Sequence, residues 1–182
     1  NNNLYFIADI GANHDGDLNK AIELINLAKE SGADAAKFQN FQADKIVSKF
    51  GFDNMKSKLS HQSKWKKSVY EVYQDASISK DWTSKLKQEC NNVGIDYFTS
   101  AYDFESVDLV DPFVDMYKIG SGDLTNYPLL RKVAKTGKKM ILSTGMSNMN
   151  EVEDSVKYVL DNGCKGLVVL HCISNYPTKN ED

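Results

Sequence analysis

Seven polar residues, Asp9, Lys37, Gln39, Ser100, Lys118, Ser121 and Ser143, stand at or just past the ends of short apolar runs, LYFIADI, ADAAKFQ, IDYFTS, DMYKIGS and KMILSTG. A lysine inside an apolar strand needs an anion beside it, because an ammonium group buried without a counter-charge is costly. For a single lysine, an Asp or Glu on a neighbouring strand would serve as well as a ligand. Two of them, Lys37 and Lys118, accompanied by hydroxyls at Ser100, Ser121 and Ser143, favour a bound phosphate or carboxylate. Gly120, Gly122 and Gly145 would let backbone N–H groups approach that anion closely. The pattern points to an enzyme.

Such residues share a site only if regular elements bring the ends of the runs together. Strands are predicted at 4–10, 33–39, 94–100, 115–121, 139–144 and 166–172, and helices at 17–31, 80–93, 103–110, 126–136 and 148–162. Strands separated by helices pair in parallel and are buried on both faces. The expected fold class is therefore α/β, a TIM (β/α)8 barrel, which presents its chemistry at the carboxyl ends of its strands. The chain supplies about the first six β/α units. With 182 residues it falls short of the roughly 200 to 250 that a complete barrel takes, so we read 1–182 as the front part of a longer polypeptide.

The helix signals are local and specific. Asp17 is a plausible N-cap for a stripe of Leu18, Ala21, Ile22, Ile25 and Ala28, and Gly32 is its stop. Asn126 with Pro128 opens the helix that Gly137 ends, and Asn148 with Glu151 resembles a capping box for the helix that Gly163 ends. One connection breaks the short period. The polar stretch 40–79, with aromatics at Phe41, Phe50, Phe52, Trp65, Tyr70 and Tyr73, is an insertion after strand two, placed where it could act as a lid.

Composition excludes several classes. The chain is 41% hydrophobic and 26% charged with a formal net charge of -3, which favours neither nucleic acid nor an anionic membrane as partner. Its apolar runs are far below the roughly 18 residues that span a bilayer, and no basic n-region precedes the first of them. Cys90, Cys164 and Cys172 are odd in number without C-x-x-C spacing, and read as reduced structural thiols. A cytoplasmic location is expected.

The strings IADIGANHDGD, SGADAAKFQ, YKIGSGDLTNYPLL, ILSTGM and LHCISNYPT resemble the barrel domain of the N-acetylneuraminate (sialic acid) synthase family. The resemblance covers nearly the whole chain apart from 40–79. It implies condensation of phosphoenolpyruvate with an N-acyl-mannosamine-type sugar, release of phosphate, and a nonulosonic acid as product. It also implies that Lys37, Ser100, Lys118, Ser121, Ser143 and Ser174 hold phosphoenolpyruvate, and that Gln39, Asp123 and Tyr176 contact the sugar. Asp9 stands where the family commonly has Glu, as an acid/base. Asp123 likewise replaces a usual Glu, and Ala101 a usual Pro. The cofactor implied is a divalent metal, Mn or Mg, whose two histidine ligands are expected outside this chain. The family also implies a homodimer in the full-length protein, capped by a C-terminal antifreeze-like domain.

The three histidines receive modest readings: His14 as a pocket residue or a loop residue satisfied by backbone, His171 as a core histidine, and His61 as a residue of the polar insertion. Two alternatives to the synthase remain at this level. One is a Schiff-base aldolase using Lys118 or Lys37 as nucleophile. The other is a non-catalytic truncated barrel that binds a ligand or partner.

Overall fold

The computed structural model describes residues 4–54, 66–175 and 178–181. Its contacts divide the chain into two compact units, Asn1–Tyr97 and Phe98–Asp182.

In the first unit β1 (Ile7–Gly11) leads into helix α1 (Leu18–Glu30), which returns the chain to β2 (Ala35–Asn40). Asp17 caps α1 as expected, its carboxylate accepting from Asn19 N–H at 2.8 Å, and the helix buries Ala21, Ile25 and Ala28. Gly32, at φ +85°, lets the chain turn off the helix. Strands β1 and β2 pair in parallel, with Asp9 opposite Lys37. One step later the register shifts at Gly11, whose φ of +57° suits glycine, so the strand carries an irregularity immediately beyond Asp9. β1 is shorter than predicted, because Leu4, Tyr5 and Phe6 lie exposed ahead of it.

The described residues of the 40–79 insertion, which exclude 55–65 and with them His61 and Trp65, are more regular than its polarity suggests. They form helices α2 (Ala43–Ile46), α3 (Lys49–Asp53) and α4 (Val69–Ala76). A reciprocal Ser68–Glu71 capping box starts α4. Phe41 and Ile78, both 2% exposed, anchor the two ends of the insertion. Helix α5 (Trp82–Val93) follows, ends in a left-handed Gly94, and packs on α1 through an Asn26–Glu89 hydrogen bond of 3.0 Å. Phe38, Leu86 and Tyr97 fill the space between these elements, with the Phe38 and Tyr97 rings 5.8 Å apart.

β3 (Asp96–Ala101) carries the chain from the first unit into the second. There α6 (Phe104–Val110), β4 (Met116–Ile119), α7 (Tyr127–Ala134), β5 (Lys139–Ser143), α8 (Met149–Asp161) and β6 (Gly166–Leu170) continue the alternation. β3 pairs with β4, β4 with β5 and β5 with β6, all in parallel. Asn126 caps α7 and the Asn148–Glu151 box caps α8, as the sequence indicates. The two helices meet through Tyr127 and Tyr158, whose rings lie 4.9 Å apart, and Ser155 donates to Leu124 C=O at 2.8 Å.

Six strands alternating with helices and paired in parallel are the first six units of a (β/α)8 barrel. Two further expectations need correcting. β4 stops at Ile119 because Ser121–Asp123 turns into a single 3-10 helix. His171 is exposed just past β6 and is no core residue; β6 itself leaves Val168 and Val169 exposed, since only its β5 side is paired among the described residues.

Candidate active site

In the first unit the β1–β2 register sets Asp9 against Lys37, and the Lys37 ammonium lies 2.6 Å from Asp9 Oδ1. Lys37 is almost wholly buried, whereas 63% of the Asp9 side chain is open to solvent. The internal pairing weighed for a lone lysine is thus realised at Lys37. It leaves an exposed carboxylate held in place by a buried cation, an arrangement suited to proton exchange with a substrate or water. Gln39 lies two residues beyond Lys37, on the same side of β2. A Cβ at Gly11 would lie 3.4 Å from Asp9 Oδ1 and 3.5 Å from Gln39 Nε2, ordinary contact distances that place both groups beside this glycine at the strand end.

A cleft of about 830 Å³ opens beside them, lined among others by Asn13, Gly16, Gln39, Phe41, Tyr73 and Asp75. Tyr73 and Asp75 come from α4, so the insertion does form a wall over a strand end. His14 is not part of that lining. It is fully buried, edge-on to Trp82 at 5.4 Å, and its Nδ1 accepts from Gly16 N–H at 3.1 Å. Burial pushes its pKa down, so it stays neutral with its proton on Nε2 and braces the β1–α1 loop.

In the second unit Lys118 donates to Ser143 Oγ at 2.8 Å across the β4–β5 pair. Ser100 and Ser143 are buried, and Ser100 Oγ has no hydrogen-bond partner. A buried hydroxyl without a partner costs free energy, which a ligand oxygen would recover. Gly145 N–H donates to Ser121 Oγ at 3.0 Å. A Cβ at Gly145 would lie 2.3 Å from Ser174 Oγ and 2.9 Å from Ser121 Oγ, so two hydroxyls gather where only glycine fits. Gly122 has open space around it and makes no such approach.

Two features here escaped the sequence reading. Thr144 Oγ1 donates to Leu170 C=O at 2.8 Å and ties the β5 loop to β6. Met146 adopts φ +65°, a strained conformation directly after the glycine. The hydroxyl and glycine pattern of ILSTGM was the signal for both.

Asp123 closes the 3-10 turn, accepting from Asn126 Nδ2 at 3.3 Å, and burial pushes its carboxyl above the usual range. Because its folded pKa lies above the unfolded one, stability is greatest below the ordinary carboxylate pKa and falls as pH rises through the raised value. Asp123→Asn should therefore raise the melting temperature near neutral pH and leave it unchanged in acid, as scans from about pH 3 to about pH 7 would show. A variant that melts lower than the parent at neutral pH would contradict this. Tyr176 lies outside the described residues.

Fold and strand-end chemistry together define a barrel-type α/β protein whose carboxyl-end groups are suited to a small anion and to proton transfer. The comparisons narrow this class: the chain belongs to the NeuB family, whose model matches residues 24–182. It is 39% identical to the N,N'-diacetyllegionaminic acid synthase of Campylobacter jejuni, over 94% of this chain and 52% of that protein. It is 36% identical to the human N-acetylneuraminate-9-phosphate synthase, over 98% of this chain and 49% of that one. The crystal structure of the Leptospira borgpetersenii N-acetylneuraminic acid (sialic acid) synthetase, in complex with citrate, superposes with a TM-score of 0.85 at 26% identity, covering 99% of this chain and 57% of that chain. The chain spans about half the length of these relatives.

Proposed function

We propose that this chain is the N-terminal part of a phosphoenolpyruvate-dependent synthase that condenses phosphoenolpyruvate with an N-acyl-mannosamine-type sugar to a nonulosonic acid and releases phosphate. The observation that carries the reading is the Lys118–Ser143 contact at the ends of β4 and β5, a cation and a hydroxyl set for an anionic substrate. The synthase names of the relatives point the same way.

In this mechanism C3 of phosphoenolpyruvate attacks the open-chain aldehyde, water adds at C2, and phosphate leaves by C–O cleavage. Lys118, Ser100, Ser121, Ser143 and Ser174 hold the phosphate and carboxylate, and stabilise charge as it redistributes. Asp9, steadied by Lys37, takes up and returns protons. Gln39, Asp123 and Tyr176 orient the sugar.

A divalent metal, Mn or Mg, belongs to this reading as a Lewis acid toward the aldehyde. Among the described residues no group of three His, Cys, Asp or Glu side chains could hold one. In this reading the residues named above contribute anion binding and proton handling. The same reading includes a barrel completed beyond residue 182, an antifreeze-like domain, a homodimer and a cytoplasmic location. No helix among the described residues is long and apolar enough to cross a membrane.

Gly145→Ala should weaken phosphoenolpyruvate binding by about tenfold, the worth of one lost hydrogen bond, because its methyl must push Ser121 and Ser174 aside. Calorimetry on the full-length protein checks this, and unchanged affinity would remove the two serines from the anion site.

Borohydride treatment of the full-length protein with both substrates separates the synthase from the aldolase. The synthase leaves Lys37 and Lys118 unmodified by mass spectrometry, whereas a reduced adduct on either lysine would establish imine chemistry and overturn the proposal.

A further inference from the structure

The cleft beside Asp9 has a chemistry of its own. Gln39 stands about 7 Å further along β2 than Lys37 and next to Gly11, so a sugar with its aldehyde near Asp9 extends past Gln39 into the cleft. The far wall is apolar. Phe41 and Tyr73 place their rings 5.6 Å apart, and Val72 and Ala76 continue the surface along α4. The amides of Asn13 and Gln39 supply donors and acceptors for hydroxyl or amide groups.

The charges in the lining oppose an anion. Asp15 and Asp75 both face the cleft, and Lys67 is already paired with Asp75 at 2.5 Å. Asp15 is paired with Lys20. A phosphate carrying nearly two negative charges would be repelled by two carboxylates, and the lysine in the lining is already paired with one of them. An acetamido or terminal methyl group would instead lie against rings and methyls, where apolar burial is favourable.

We infer that this cleft receives the distal end of the acceptor sugar and selects an uncharged tail bearing an N-acyl or deoxy methyl group over a phosphorylated one, with Tyr73 and Asp75 of α4 as its specificity residues. The inference rests on the synthase reading. It makes the insertion the discriminating element, favouring its apolar face toward the right tail and its carboxylates against the wrong one.

The test measures phosphate release from phosphoenolpyruvate by the full-length protein with three acceptors: N-acetylmannosamine, the same sugar phosphorylated on its terminal hydroxyl, and a di-N-acetylated trideoxy analogue with a terminal methyl. The expected order of kcat/KM is the di-N-acetylated sugar first and the phosphorylated one last, with each step about tenfold or more. Tyr73→Ala should lower kcat/KM for the di-N-acetylated sugar by about tenfold, chiefly through KM, and leave the KM for phosphoenolpyruvate unchanged. Tyr73→Phe should retain the preference. Asp75→Asn, on an exposed helix position, should release Lys67 and improve use of the phosphorylated sugar.

A wild-type preference for the phosphorylated acceptor would overturn the inference while leaving the synthase reading intact. So would Tyr73→Ala and Asp75→Asn variants whose relative kcat/KM values across the three sugars equal those of the parent. Turnover of none of the three sugars would overturn both.

Discussion

Asp9→Asn in the full-length protein is expected to lower kcat by about 10²- to 10⁴-fold, the range typical of a lost general acid or base, with phosphoenolpyruvate affinity largely kept. The amide is nearly isosteric with the carboxylate but cannot accept a proton at neutral pH. The structure adds a second consequence, because Asp9 is the counter-charge of a buried lysine 2.6 Å away. Removing it should also lower stability by about 1.5 to 3 kcal/mol, toward the low end because Asp9 is open to solvent. Asp9→Glu keeps the charge and separates the two effects, since it should retain most of the stability even where displacement by a methylene slows turnover. Rate assays beside thermal melts read both consequences. If kcat in Asp9→Asn falls by less than about fivefold, the carboxylate serves only to neutralise Lys37.

Lys118→Ala is expected to raise the dissociation constant for phosphoenolpyruvate by about 10- to 150-fold, the equivalent of about 1.5 to 3 kcal/mol for a charge-assisted contact. The sugar's KM should change far less. Lys118 is half-buried between the fully buried Tyr117 and Ile119, and its ammonium already meets Ser143 Oγ. Loss of the cation also leaves Ser143 without this donor at the same strand end. Calorimetric titration of the folded variant decides the matter, and unchanged phosphoenolpyruvate affinity would place Lys118 outside the anion site.

Much of the fold is legible because its signals are local. Asp17, Asn126 and the Asn148–Glu151 box predict the helix starts at which they are found, since a capping side chain and its backbone partner lie within three residues of each other. The Ser68–Glu71 box of α4 was equally legible, but the polar character of 40–79 concealed it. Strand ends are less legible. β1 starts at Ile7 rather than Leu4 because apolar residues ahead of it remain exposed, and no residue pattern distinguishes exposed from buried apolar residues there.

The site divides along the same line. The sequence places Lys118 and Ser143 at the ends of two successive strands, and parallel pairing then brings their side chains within 2.8 Å. The Lys37–Asp9 pair depends on register between β1 and β2, a long-range quantity that two short apolar runs do not specify. The register thus gives Lys37 a carboxylate partner that residue types alone do not reveal. The crowding of Ser121 and Ser174 on Gly145 likewise depends on a loop conformation, including the positive φ of Met146, that residue types only hint at. His171 was misread for a related reason, since a histidine among apolar neighbours is buried only if its strand is covered.

The most direct test of the central claim is phosphate release from phosphoenolpyruvate by the full-length protein, with acceptor sugar and divalent metal supplied separately and together. The account predicts release only when phosphoenolpyruvate, an N-acyl amino sugar and the metal are all present, with one phosphate appearing for each nonulosonic acid formed. Full activity in the presence of a chelator, or phosphate release that proceeds equally well without the sugar, would contradict it.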